Sequence, residues 1–233
     1  MMRFDNNSRI LVIAAHPDDE VLGMGGTIAR ATSYGSQVFV LFLGEGISAR
    51  FPVGDYDNSS FREQTEQRMN SAKRAMEILG VGQTIYGTRL CGQFDTISVL
   101  SIVKEIEEVI DSFSPTMLFT HNPSEVNIDH PLTYKAVEIA CRPARAISPK
   151  EIYTFEIICS GGWTFESLFK PNVYVDIDQT WNQKMRAWHC YEGEGRPFPF
   201  PRSETGLTAL AQYRGMACGL SKAEAFRLVR KLV

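Results

Sequence analysis

Four ionisable residues follow directly after a short apolar run near the start of the chain. The run covers residues 10–15, and His16, Asp18, Asp19 and Glu20 come after it. His16 and Asp19 could offer an imidazole nitrogen and a carboxylate oxygen to one cation, a pairing typical of zinc or ferrous iron. Asp18 could then take a proton from a water at that cation. The alternative, in which the acids only cap a following helix, accounts for one carboxylate but not for three beside a histidine.

The apolar run before these residues fits a β-strand that is buried on both faces of a parallel sheet. Pro17 cannot donate to a sheet ladder and keeps His16 extended, so the strand has to end there. In open parallel sheets, ligands bind outside the carboxyl ends of the strands. The sequence therefore predicts a site at this end of the strand.

A second stretch with chemical potential follows another predicted strand, at residues 116–120. It contains His121, Asn127, Asp129 and His130. A single histidine is usually a surface or core group, but two within ten residues beside an acid favour a site. Asp129 could orient a histidine ligand, as carboxylates around metal sites do.

Residues 15–20, Ala-His-Pro-Asp-Asp-Glu, resemble the signature of the PIG-L/LmbE-like de-N-acetylases, metal enzymes that remove acetyl groups from N-acetylated sugars. The resemblance implies that His16, Asp19 and His130 bind the metal and that Asp18 is the general base. Zinc is the expected ion, with Fe²⁺ or another divalent metal as alternatives. The resemblance covers nearly the whole chain, but only the two histidine stretches are specific.

The chain departs from the commoner family pattern at Asn127, where many relatives carry a histidine. Asparagine can donate a hydrogen bond to an oxyanion but cannot deliver a proton at neutral pH. Proton delivery to the leaving amine then falls to Asp18, after it has taken the proton of water, or to His121. We favour Asp18, because the carboxylic acid forms within reach of the amine.

Candidate substrate-binding residues are spread along the chain. In the family, an arginine about one helix before a Leu-Gly pair shapes the substrate site, and Arg68 before Leu79-Gly80 fits that spacing. Glu45 follows the predicted strand at residues 37–43 and either touches substrate or is an ordinary loop acid. Tyr191 and Arg202 in the C-terminal third could also face substrate.

Hydrophobic periodicity predicts an α/β fold: a Rossmann-like, largely parallel sheet flanked by helices, with a C-terminal α+β extension. We expect one domain over residues 1–233, with the metal site in about 1–145 and the extension in about 146–233. Strands are predicted at residues 10–15, 37–43, 83–86, 116–120, 151–159 and 172–177. Helices are predicted at 22–34, 61–79, 98–113, 132–141 and 181–191, with two terminal helices that include 212–215 and 223–226. Gly23, Gly25 and Gly26 in the first helix imply close packing.

Composition places the chain among ordinary globular proteins, with 44% hydrophobic and 22% charged residues. A net charge of −3 gives no electrostatic footprint for nucleic acid. The polar N-terminus and the lack of a membrane-length apolar run indicate a cytoplasmic protein without stable membrane insertion. Five cysteines without a C-x-x-C pair are expected to be reduced thiols. Aromatic and proline residues at 198–201 suit the interface of a homo-oligomer.

The two histidine stretches and the family resemblance together imply a metal-dependent hydrolase that removes acetyl from an N-acetylglucosamine-type glycoside, nucleotide sugar or glycan precursor. One alternative is a hydrolase of another small amide. A non-haem iron oxygenase also uses two histidines and a carboxylate, but it would leave Asp18 without a role. The third alternative is a sugar- or nucleotide-binding module with a vestigial site. Metal content together with acetate release separates these possibilities.

Overall fold

Strands and helices alternate regularly up to Ala140 in the computed structural model, which describes residues 2–166 and 169–233. Each element predicted in this part is present, with ends shifted by a few residues. Its elements are β1 (Arg9–Ala14), α1 (Asp19–Ser33), β2 (Gln37–Gly44), α2 (Ser59–Leu79), β3 (Gln83–Arg89), α3 (Val99–Phe113), β4 (Met117–His121) and α4 (Asp129–Ala140). The remaining elements are β5 (Glu151–Phe155), α5 (Ile158–Gly162), β6 (Val173–Asp176), α6 (Trp181–Trp188), α7 (Glu204–Met216) and β7 (Ala223–Lys231).

These strands form a seven-stranded sheet in the order β3-β2-β1-β4-β5-β7-β6. Strands β1 to β5 are parallel, whereas β7 lies antiparallel between β5 and β6. The predicted α/β fold with a largely parallel sheet is therefore confirmed. The chain moves outward from β1 to β3 and then returns to place β4 on the other side of β1. The loops after β1 and β4 consequently diverge at one edge, where α/β proteins bind ligands.

The central strand β1 is buried because helices cover both faces of the sheet. Ile10, Val12 and Ala14 face one hydrophobic cluster, which includes residues of α1, α2 and α6. Leu11 and Ile13 face the other, which includes residues of α3 and α4. This alternation follows from the two-residue period of a strand, and a one-residue slip would exchange the two faces. The position of His16 is therefore fixed firmly by the strand before it.

The glycines of α1 allow the close packing that the sequence predicts. A Cβ atom on Gly23 would lie 2.5 Å from Phe155, and one on Gly26 would lie 2.8 Å from Ile177. The helix is kinked at Met24, where φ is −154°. Two buried groups compensate for the hydrogen bonds lost at the kink: Lys184 donates to the Leu22 carbonyl, and the Glu224 carboxylate accepts from the Gly26 and Thr27 amides.

The prediction of a terminal helix over residues 223–226 is wrong, because these residues begin strand β7. Ala and Glu favour helices, but Phe226 and Leu228 alternate with the exposed Arg227 and Val229, which suits a strand with one buried face. Pairing with both β5 and β6 outweighs the local helical preference. The strand predicted at residues 151–159 is also too long, since β5 ends at Phe155 and α5 follows. Among the described residues, no helix has both the length and the apolar character needed to cross a membrane.

Candidate active site

The metal ligands predicted from the sequence lie together at the carboxyl edge of the sheet. His16, Asp19 and His130 each place a ligand atom within 4.8 Å of the other two. Asp19 Oδ2 lies 3.5 Å from both His16 Nδ1 and His130 Nε2. All three residues are buried, with at most 5% of their surface exposed. One nitrogen from each ring and one carboxylate oxygen thus converge on a common point.

Two carboxylates behind the histidines determine which ring nitrogen faces that point. Asp129 lies 2.8 Å from His16 Nε2 and also accepts hydrogen bonds from the Gly92 and Phe94 amides. Glu125 is hydrogen-bonded to His130 through Nδ1. His130 Nε2 is left buried with no hydrogen-bond partner among the described residues. A buried nitrogen without a partner is costly unless a ligand satisfies it, so this donor set fits a divalent cation.

The electrostatics of two of these ligands also suit a cation. Burial raises the pKa of Asp19, but His130, His121 and His16 outweigh that effect and hold it below its usual value. Burial lowers the pKa of His130 to about 4, so its ring is neutral at physiological pH. His16 differs: burial lowers its pKa, yet the neighbouring Cys91, Asp129 and Asp19 raise it well above the usual value. A cation at His16 Nδ1 therefore competes with a proton.

Asp18, the predicted base, lies next to this set in an unusual backbone conformation. Its φ of 128° is rare outside glycine, and such strain often marks a functional position. Asp18 Oδ2 accepts hydrogen bonds from Arg68 at 3.1 Å and from Arg202 at 3.0 Å. Burial raises the pKa of Asp18, an effect that Arg202 and Arg68 oppose without cancelling it. The structure thus brings both predicted arginines to the predicted base.

Those two arginines share a second acidic partner, which sequence reasoning missed. Glu194 contacts both Arg68 and Arg202, and it also pairs with Arg50. It lies in the loop after α6, far from the motif in sequence, and no spacing rule links it to residue 18. Only the folded chain reveals that it completes a buried charge network around Asp18.

His121, the alternative proton donor, lies behind the ligands rather than at the open side. It is completely buried, and its ring stacks on that of His130 with a centroid distance of 4.0 Å. His121 Nε2 accepts a hydrogen bond from the Ala15 amide at 2.9 Å, and Nδ1 faces Glu125 at 3.5 Å. Both ring nitrogens are therefore directed into the protein.

Asn127 is half-buried at the start of α4. Its Oδ1 accepts a hydrogen bond from the Asp129 amide at 3.0 Å, and its own amide donates to Ser160. Because the side-chain oxygen is used, the Nδ2 group is the part of Asn127 that can donate to a ligand. The side chain thus keeps the donor group that the expected role requires.

The other two predicted substrate residues are engaged inside the protein. Glu45 is buried and accepts hydrogen bonds from the amides of Ile47, Ser48 and Cys91, which fixes the loops after β2 and β3. Tyr191 is 3% exposed and donates its hydroxyl to Glu20. Burial raises the pKa of Glu20 to about 8. Glu45 and Tyr191 therefore hold neighbouring loops and Glu20 in place inside the protein.

Glu125 and Cys91 are further residues of this site to which the sequence assigned no role. Glu125 lies between the two histidines of the second stretch, and its distance of five residues from His130 matches no common ligand spacing. Cys91 follows β3, so its place at the same sheet edge was a usable signal. Both residues lie in loops that follow parallel strands, and that position was the signal in the sequence.

Fold and site together define an α/β protein with a candidate metal centre where its central parallel strands end. A family model described as GlcNAc-PI de-N-acetylase (PIG-L) matches residues 11–141, which is more than half of the chain. The chain belongs to the PIG-L family, which confirms the resemblance seen in the sequence. The match spans β1 to the end of α4 and so includes every candidate metal ligand.

Individual relatives extend this similarity over nearly the whole chain. Diacetylchitobiose deacetylase from Thermococcus kodakarensis is 29% identical over 97% of this chain and 85% of its own. The structure of N,N'-diacetylchitobiose deacetylase from Pyrococcus horikoshii is similar with a TM-score of 0.74 and 23% identity, over 95% of this chain and 84% of that one. GalB, the 4-carboxy-2-hydroxymuconate hydratase from Pseudomonas putida KT2440, is similar with a TM-score of 0.76 and 23% identity, over 97% and 98%. Because a hydratase shares the fold, the residues of the site must carry the functional assignment.

Proposed function

We propose that this protein is a metal-dependent hydrolase that removes the acetyl group from an N-acetylated sugar and releases acetate. The observation that carries the proposal is the convergence of His16 Nδ1, Asp19 Oδ2 and the unpartnered His130 Nε2 beside Asp18. The related diacetylchitobiose deacetylase supports an N-acetylglucosamine-type glycoside or short glycan as the substrate. An oxygenase built on the same three ligands would leave Asp18 and its two arginines without a function.

His16, Asp19 and His130 would hold the ion, and we propose zinc, because two imidazoles and one carboxylate leave a coordination position free for chemistry. When bound, the ion would act as a Lewis acid toward the acetyl carbonyl and lower the pKa of water at the site. Asp129 and Glu125 keep the rings of His16 and His130 turned toward the position of the ion.

Asp18 acts as the proton carrier in this mechanism. Arg68 and Arg202 occupy Oδ2, so Oδ1 takes the proton when water attacks the acetyl carbon. The side-chain Nδ2 of Asn127 donates a hydrogen bond to the oxygen of the acetyl carbonyl, where negative charge develops. As the carbon–nitrogen bond breaks, Asp18 returns the proton to the leaving amine. The products are acetate and the free amino sugar, and His121 serves to position the ligands.

Of the two arginines, Arg202 is the better placed to meet substrate. Its side chain is 19% exposed, compared with 5% for Arg68. We assign Arg202 to contact with sugar hydroxyls and Arg68 to holding Asp18. Glu45 and Tyr191 keep the loops in place.

The proposal is tested by acetate release from a panel of N-acetylglucosamine, its β-linked disaccharide, a nucleotide-linked form and a simple N-acetyl amine. Protein stripped of metal should be inactive, and one equivalent of zinc should restore activity toward at least one sugar but not toward the simple amine. Activity on the simple amine alone would replace the sugar with another small amide. No acetate from any substrate, with one zinc bound per chain, would reject the hydrolase assignment.

Cellular location and assembly also belong to the proposal. All five cysteines are free thiols, which supports a reducing compartment such as the cytoplasm. Phe198 and Trp163 are 67% and 57% exposed, and they support self-association through this surface. Sedimentation of Phe198→Ser beside the wild type tests the assembly, since only an oligomer that uses this surface would dissociate.

A further inference from the structure

A second group of metal-binding atoms shares one residue with the candidate metal centre. The Cys91 sulfur, a ring nitrogen of His16 and a carboxylate oxygen of Asp129 all lie within 4.8 Å of one another. In a tetrahedral site with zinc–ligand bonds of about 2.0–2.3 Å, the ligand atoms lie roughly 3.3–3.8 Å apart, so shifts of about 1 Å would let all three reach one ion. A thiolate, an imidazole and a carboxylate together form a donor set that suits soft divalent cations.

The loop that carries Cys91 is held at this place by hydrogen bonds on both sides. The Cys91 amide donates to Glu45 at 2.9 Å, and its carbonyl accepts from the Ser48 hydroxyl at 3.2 Å. The next residue, Gly92, has a φ of +77°, which glycine adopts readily, and its amide donates to Asp129. The thiol is therefore fixed beside His16 and Asp129, and its half-buried position leaves it accessible to ions.

We propose that Cys91, His16 and Asp129 form an inhibitory site for a thiophilic divalent cation, such as Cd²⁺ or excess Zn²⁺. The inference rests on the proposed function only in that His16 also serves the catalytic ion. The catalytic ion would bind His16 at Nδ1, which lies 3.5 Å from Asp19. The second ion would bind the same ring at Nε2, which lies 2.8 Å from Asp129.

Binding at this site would change the catalytic centre in a defined way. The cation would displace the thiol proton and the proton between His16 Nε2 and Asp129, and both protons pass to solvent. His16 would then bridge the two cations as an imidazolate and lose the hydrogen bond that orients its ring, so both the orientation and the charge of the ligand at Nδ1 would change. Turnover should fall as the second site fills.

Zinc-loaded protein titrated with Cd²⁺ provides the test, because a cadmium–thiolate bond absorbs in the ultraviolet and zinc does not interfere. To remove other accessible thiols, the protein carries Cys190→Ser and Cys218→Ser, which lie outside the site. We expect one cadmium per chain in addition to the retained zinc, a thiolate absorption band, and loss of turnover in step with that band. Adding Cys91→Ser should abolish the band and raise the half-inhibiting Cd²⁺ concentration at least about tenfold.

The inference is overturned if Cys91→Ser keeps the band and the inhibition, or if cadmium enters only by replacing zinc. Cys91→Ala serves as a second variant, and the zinc content of both variants reports that the site is folded. Absorption and metal content require no substrate, so they test the cation site even if no sugar is deacetylated. Failure of the proposed function would appear separately, as zinc-loaded wild-type protein that releases no acetate.

Discussion

Glu125 is hydrogen-bonded to His130 through Nδ1, and the opposite nitrogen of that ring, Nε2, lies 3.5 Å from Asp19 Oδ2. The same carboxylate accepts the Ile157 amide at 2.9 Å through its other oxygen, so it cannot turn away. Glu125 therefore determines which nitrogen His130 presents to a metal. This relationship links a loop residue that matches no motif to the chemistry of the site.

Glu125→Gln should weaken zinc binding by about 10- to 100-fold. The Ile157 amide would retain the oxygen of the new side chain, so its NH₂ group would face His130 Nδ1. His130 would then carry its proton on Nε2, where zinc has to bind. Competition with a chromophoric chelator measures the affinity, and Glu138→Gln on the exposed face of α4 is the matched control. Equal affinity in Glu125→Gln and wild type would contradict the role.

His121→Gln should lower turnover by less than about tenfold when the protein is fully loaded with metal. His121 is completely buried, and its Nε2 is held by the Ala15 amide, so it is not the group that protonates the amine. The expected loss is instead in stability, by about 1–3 kcal/mol for imperfectly satisfied buried groups. The dependence of turnover on pH should keep its basic limb. Disappearance of that limb, with metal retained, would make His121 the acid and displace Asp18 from that step.

Lys184→Met should destabilise the fold by about 3–5 kcal/mol, because it leaves the buried Glu224 carboxylate unpaired. Lys184 and Glu224 lie 2.6 Å apart, with 6% and 5% of their side chains exposed. Lys222→Met breaks a pair with Asp178 whose side chains are 22% and 48% exposed, and it should cost less than about 1 kcal/mol. Urea unfolding of both variants at equal metal loading compares the two costs. Similar losses would mean that the buried pair does not stabilise the kink of α1.

Much of the fold was predictable because local sequence and long-range packing agree there. The apolar residues 10–15 and the proline after them define β1 and its end without any knowledge of neighbouring strands. Residues 223–226 show the opposite case, since Ala and Glu favour a helix locally, while a gap between β5 and β6 selects a strand. The available signal was the period-two pattern that starts at Phe226 and continues through Leu228.

The candidate site likewise has residues that the sequence predicts and residues whose roles only the folded structure shows. His16, Asp18 and Asp19 come directly after β1, and His130 lies at the start of the helix after β4. Their meeting at one edge could be predicted because the carboxyl ends of parallel strands share that edge. The roles of Glu45 and Tyr191 could not, because a loop acid or a helix-end tyrosine can point toward solvent or into the protein. Only the amides of Ile47 and Cys91, and the carboxylate of Glu20, decide the direction.

Bound metal and acetate release, measured together in Asp18→Asn, test the role of Asp18 most directly. Asparagine has the same shape as aspartate and keeps an oxygen for the two arginines, but it cannot accept a proton from water. We expect the variant to bind one zinc per chain like the wild type and to turn over roughly a hundredfold more slowly or worse. Near wild-type turnover by zinc-replete Asp18→Asn would contradict the central claim that Asp18 is the base beside a metal held by His16, Asp19 and His130.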